Sequence, residues 1–114
     1  MRIAVAGATR GIGRCLVEQG VANGHLVTAM GRHIEELPMR HERLRALRGD
    51  MTQPPDAEAL VANQDAVCFT VGIAPSFKKV TTFSTGMANI MKAMHDRGVA
   101  RVIAETGVVY YSMP

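Results

Sequence analysis

Hydrophobic positions fall into short runs divided by polar and glycine-rich segments, and the period within each run names an element. Residues 2–6 (Arg-Ile-Ala-Val-Ala) form a short apolar run ending at Gly7, which predicts a first strand. Over 12–22, Ile12, Cys15, Leu16 and Gln19 recur at helical intervals, and Asn23-Gly24 stops the helix. His25 to Met30 reads as a second strand, followed by Gly31-Arg32. Residues 33–42, with Glu35, Glu36 and Pro38, predict a solvated turn of helix and a loop. Arg43 to Arg48 partly alternates charged with apolar residues, as a half-buried strand does, and Gly49-Asp50 ends it. Pro54-Pro55-Asp56 is a helix entry signal for a short helix over Ala57 to Ala62. Residues 66–71 (Ala-Val-Cys-Phe-Thr-Val) read as a continuous apolar run of strand length, as expected of a strand buried on both faces. A loop with Pro75 is predicted from Gly72 to Lys79. Phe83, Met87, Ile90, Met91 and Met94 then mark one face of an amphipathic helix capped by Gly98. Arg101 to Ala104 is a fifth strand.

Five strands separated by connections of helical character argue a parallel α/β sheet with right-handed crossovers and helices on both faces. At 114 residues, without repeat or linker, the chain is one domain over 1–114. A hydrophobic fraction of 47% against 20% charged supports a real core. Two cysteines, Cys15 and Cys68, are too few for a disulfide framework and sit in apolar runs, where burial is the expectation. They and the four histidines show no zinc-type spacing, so no metal is expected. No apolar run approaches the about 18 residues of a membrane span. The N-terminal run breaks into glycine too early for a secretory leader. The expectation is a soluble cytoplasmic protein with no membrane partner. The net charge is +3, with five arginines between Arg32 and Arg48, and such a surface attracts phosphates. Aromatic residues make up only 4%, too few for a base-stacking platform, so no nucleic-acid partner is expected.

The informative segment is Gly7-Ala8-Thr9-Arg10-Gly11-Ile12-Gly13, between the first strand and the first helix. Gly7 can make the tight turn, Gly11 lets backbone approach a pyrophosphate, and Gly13 lets the helix pack close to the sheet. The helix N-terminus then offers N–H groups to phosphate. The alternative is a tight strand-to-helix turn with no ligand.

The pattern Gly-x-x-x-Gly-Ile-Gly resembles that of the short-chain dehydrogenase/reductase superfamily. Val27 to Arg32, Arg48-Gly49-Asp50-Met51, Gln64 to Val67 and Gly98 to Ile103 resemble its atypical NAD(P)H-binding branch of flavin reductase/biliverdin reductase B and nitrogen-regulator-type redox sensors. The resemblance runs along all 114 residues and corresponds to the N-terminal part of that fold. It implies a Rossmann-like three-layer α/β/α arrangement with a five-stranded parallel sheet, order 3-2-1-4-5, lacking the family's C-terminal strands. It also implies cofactor contacts at Gly7, Thr9, Arg10, Gly11, Ile12 and Gly13.

NAD-specific sites place an acid about 20 positions past the glycine loop, at the tip of the second strand. Here the tip is Gly31-Arg32. Arg10 and Arg32 could together embrace a 2′-phosphate, which favours NADP(H) over NAD(H). Arg32 as a solvated loop residue is the plainer alternative, and Glu35 or Glu36 turning inward would complicate the preference. By resemblance, Asp50 accepts from the adenine amino group, Met51 packs on the ring, and Val71-Gly72 pass beneath the ribose-nicotinamide side. Asp50 could instead cap the following turn. Phe83 is either near the nicotinamide or, at helical spacing with Met87, in the core.

The superfamily's Tyr-x-x-x-Lys pair is missing: Tyr110 and Tyr111 are the only tyrosines, with no lysine following. The resemblance places a hydroxyl-rich nicotinamide pocket at Glu105-Thr106-Gly107. Thr106 supplies a hydroxyl there, and Glu105 is either a proton donor with a raised pKa or a solvent-facing residue. With the fifth strand ending the sheet, an unpaired edge and an uncovered face would invite a homo-oligomer; a clipped chain is the other explanation. Three functions remain open. One is an NADPH-dependent reductase of a flavin, quinone or similar planar acceptor. Another is a non-catalytic NADP(H) sensor. The third is an inactive fragment.

Overall fold

The computed structural model describes residues 1–9, 11–70, 77–104 and 109–112. Its elements are β1 (Arg2–Ala6), α1 (Gly11–Ala22), β2 (Leu26–Gly31), a 3-10 turn (Ile34–Glu36), β3 (Leu44–Arg48), α2 (Pro54–Val61), β4 (Ala66–Phe69), α3 (Phe77–Arg97), β5 (Arg101–Ala104) and β6 (Val109–Ser112). The sheet order is β3-β2-β1-β4-β5-β6. The first five strands are parallel, in the expected order 3-2-1-4-5.

β6 departs from expectation. It runs antiparallel to β5, pairing Arg101 with Ser112 and Ala104 with Val109. The β5 edge is therefore covered, and the expected unpaired fifth strand is corrected. Two causes combine: Val109, Tyr110 and Tyr111 favour extended backbone, and an open strand edge is satisfied by the nearest chain that can pair with it.

Side chains alternate between two core layers because successive strand residues face opposite sides. On β1, Ala4 and Ala6 join Val67, Phe69 and Val102 beneath Leu60 of α2 and Ile90 and Met94 of α3. Val5 faces the other way, with Val27, Ala29 and Cys68, beneath Val17 and Val21 of α1. Burial on both faces explains why the central strands read as continuous apolar runs. The stripe predicted on α3 holds, with Ile90 and Met94 buried and Met87 and Met91 packed at its margin.

Three boundaries or faces differ. α2 starts at Pro54, since proline fits the first helical turn. α3 starts at Phe77, inside the expected Gly72–Lys79 loop, because no proline occurs from Phe77 to Arg97. On α1 the buried residues are Gly13, Val17 and Val21, whereas Ile12 is 52% exposed. Cys15 is exposed as well, which corrects its expected burial; only Cys68 is a core thiol. The reason is the glycine: once Gly13 must face the sheet, residues four and eight positions later follow it inward. Among the described residues, no helix is long and apolar enough to cross a membrane.

Candidate functional site

The C-terminal ends of β1, β2, β3 and β4 meet at one edge of the sheet, where parallel α/β sheets bind ligands. The chain leaves β1 through Gly7, whose φ of +79° is in the left-handed region that glycine tolerates. The Gly7 and Ala8 N–H groups both donate to the Met30 carbonyl, at 3.0 and 3.3 Å, which ties the turn to the end of β2. Gly11, at φ +56°, opens α1. Gly11 and Ile12 are exposed, and the first N–H groups of a helix have no partner within it.

Gly13 is buried against the turn. A Cβ there would overlap the Gly7 carbonyl oxygen and lie 2.5 Å from Thr70 Oγ1. Thr70 follows β4; its hydroxyl donates to the Ala6 carbonyl at 2.6 Å and approaches the Gly7 carbonyl at 3.3 Å. Its N–H also donates to the Ala6 carbonyl, at 2.9 Å. Thr70 thus fixes the start of the glycine turn from the neighbouring strand. It was not singled out in the sequence, although a polar residue in that apolar run is a visible signal. Thr9 is half-buried, and its Oγ1 would be 2.8 Å from a Cβ at Gly31, so the turn and the tip of β2 are in contact.

Arg32 is exposed just past that tip. Both candidate acids beside it are exposed, and Glu35 is held by Arg48: its Oε2 is 2.8 Å from Arg48 Nη2, while His33 Nδ1 lies 4.0 Å from its Oε1. The Arg48 hydrogen bond, followed by a backbone hydrogen bond, holds the Glu35 carboxyl below its usual pKa. Arg48 was likewise missed in the sequence.

Asp50 is half-buried, and its Oδ1 accepts from the Thr52 N–H at 2.9 Å and the Thr52 hydroxyl at 2.8 Å. Its own N–H donates to Asp56 Oδ2 at 2.9 Å. Asp50 therefore does cap the following turn. Met51 is 7% exposed and belongs to the core; its carbonyl accepts from Asn89 Nδ2 at 2.8 Å. The expected packing of its side chain on a ligand ring is thus limited to whatever edge the core leaves open. Arg10, Val71, Gly72, Glu105 and Thr106 lie outside the described residues, and Phe83 falls in α3. Among the described residues no three metal-ligating side chains gather.

The profile of a family described as NAD(P)H-binding matches residues 7–113, from the first glycine of the turn through β6. The chain belongs to this NAD(P)H-binding family. An uncharacterised chloroplast protein of Arabidopsis thaliana is 28% identical over 95% of this chain and 41% of its own length. An NADP-dependent 3-hydroxy acid dehydrogenase of Salmonella typhi is 45% identical over 45% of this chain and 18% of that protein. A short-chain dehydrogenase/reductase from Veillonella parvula, solved in complex with NADP, superposes with a TM-score of 0.75 at 25% identity, covering 90% of this chain and 46% of that one. Uronate dehydrogenase from Agrobacterium tumefaciens shares the fold with a TM-score of 0.77 at 18% identity, over 90% of this chain and 39% of its own. This member of the NAD(P)H-binding family therefore spans less than half the length of the relatives it matches. Within that span it carries the nucleotide-binding architecture of short-chain dehydrogenase/reductase-like proteins.

Proposed function

We propose that the chain binds NADPH at the glycine turn and serves a reductase acting on a flavin, quinone or similar planar acceptor. The observation that carries this is the cradle at Gly13: helix and turn approach so closely that no Cβ fits, and the open first turn of α1 stands beside it. A dinucleotide fits such a site because a pyrophosphate needs backbone N–H groups with no side chain in the way.

In this reading Gly7, Thr9, Gly11, Ile12 and Gly13 hold the pyrophosphate, and Arg10 and Arg32 take the 2′-phosphate, giving NADP(H) preference over NAD(H). Asp50 accepts from adenine, beside the edge of Met51. Val71, Gly72 and Thr106 line the nicotinamide side, and Glu105 or solvent supplies a proton. Bound NADPH supplies the hydride; the protein's share is orientation and exclusion of water. The reading is a cytoplasmic one, with neither nucleic acid nor membrane as partner.

The Glu35–Arg48 and Asp50–Thr52 contacts lie on the proposed adenosine side and bear on binding rather than on hydride transfer, which supports a second reading, a non-catalytic NADP(H) sensor. Calorimetric titration with NADPH and NADH tests the shared part. Micromolar NADPH binding, tighter than NADH, is expected; no binding of either would overturn it. Steady oxidation of NADPH with flavin mononucleotide then separates reductase from sensor.

A further inference from the structure

The sequence pairs Arg10 with Arg32, but the structure brings another arginine to the same corner. Arg48 ends β3, and its register partner is Gly31, the end of β2. The Gly49 N–H donates to the Gly31 carbonyl at 3.2 Å, so the two strand ends leave the sheet together. From there Arg48 reaches over the 3-10 turn to Glu35, with Nη2 2.8 Å from Oε2. A dinucleotide seated on a glycine loop lays its adenosine ribose against the end of the second strand. That is this corner.

We propose that Glu35 and Arg48 together set the choice between NADPH and NADH, an inference that rests on the dinucleotide reading above. Glu35 holds Arg48 when no 2′-phosphate is present, and a 2′-phosphate takes Arg48 from it. The exchange is feasible because both side chains are more than half exposed, at 54% and 68%, and exposed ion pairs are weak. A phosphate offers the guanidinium more charge and more acceptor oxygens than a carboxylate does. The backbone of Glu35 is held at the corner. Its turn is closed by the Glu36 N–H to the His33 carbonyl at 2.9 Å and by the N–H of buried Leu37 to the Ile34 carbonyl at 3.0 Å. The carboxylate therefore stays close enough to oppose a phosphate and to accept from a 2′-hydroxyl. One residue favours each cofactor, and the ion pair balances them.

The whole chain is titrated with NADPH and with NADH, as wild type, Arg48→Gln, Arg48→Lys and Glu35→Gln. Arg48→Gln should weaken NADPH about tenfold, the scale of one lost charge-assisted contact, and leave NADH nearly unchanged. Arg48→Lys should fall between, since it keeps charge but not the fork. Glu35→Gln should tighten NADPH about threefold and weaken NADH. Both positions are at the surface, so thermal unfolding should be nearly unaltered in all three variants. If the variants bind both nucleotides with the wild-type ratio, the assignment of Arg48 and Glu35 is overturned and the dinucleotide reading stands. If the wild-type chain binds neither nucleotide, both fall.

Discussion

Gly13 lies against the carbonyl of Gly7 so closely that a single methyl group has no room between them. The obstruction is backbone, and Thr70 Oγ1 blocks the other side. Gly13→Ala should therefore force α1 away from the sheet at about 1–3 kcal/mol, the range of an overpacked core. Nucleotide affinity should drop further, because the same shift opens the cradle. Gly11 is the control. A Cβ there meets nothing within 4 Å, so Gly11→Ala bears only the strain of its φ of +56°, about 1–2 kcal/mol. Urea unfolding distinguishes the two, since Gly11 serves as a control for packing alone: a loss of stability in Gly11→Ala as large as that in Gly13→Ala would refute the packing account.

Asp50 has a visible structural duty in holding Thr52 and a proposed one toward adenine. Substituting each residue separates them. Thr52→Ala removes the hydroxyl bond and should cost about 1 kcal/mol of stability with little change in nucleotide affinity. Asp50→Ala should cost a similar amount and weaken NADPH and NADH alike, since adenine is common to both. If Asp50→Ala leaves both affinities at wild-type values, the carboxylate serves the turn alone.

The two thiols should behave differently. Burial pushes the Cys68 thiol up from its ordinary pKa, whereas Cys15 is exposed on α1. In the native chain one thiol should react promptly with a maleimide and the second only on unfolding. The folded state keeps the Cys68 proton at a pH where the unfolded chain releases it. Its contribution is therefore intact below about pH 8.5 and declines as pH rises above that value. Denaturant midpoints at pH 7.5 and 9.5 should fall more for wild type than for Cys68→Ala. Equal falls would mean that other groups carry the alkaline loss.

Where β6 was not foreseen, its removal is informative. A chain ending at Ala104 leaves β5 without the partner that pairs from Val109 to Ser112. Such an edge is a template for another chain, so the shortened protein should elute as larger species or precipitate. Light scattering after gel filtration measures this. A shortened chain as small and soluble as the full one would show that β6 does not protect the edge.

Much of the fold was legible because it depends on local pattern. β1 and β5 follow from short apolar runs divided by helical stretches, the strand order from the family resemblance, and the turn from three glycines. What was not legible depends on distance. The apolar count on α1 pointed to Ile12 and Cys15, but the buried face was decided by the approach of Gly13 to Gly7 and Thr70. Arg48 and Glu35 are separated by a strand and a loop, and only the parallel register of β2 and β3 brings them together. The four residues of β6 were overlooked because a strand so short is specified by its partner more than by its own sequence.

The bond from the Thr70 hydroxyl to the Ala6 carbonyl joins residues 64 positions apart. β1 precedes the other strands of this sheet, yet it sits between β2 and β4, so its second neighbour arrives only after β2, β3 and the helices between them have been synthesised. A nascent chain thus displays every glycine of the motif long before it has a finished cradle. Contacts this distant in sequence form late and slowly. The motif is therefore complete in sequence at Gly13, whereas the binding site appears only once β4 has joined β1, and bound nucleotide can report that the sheet has closed.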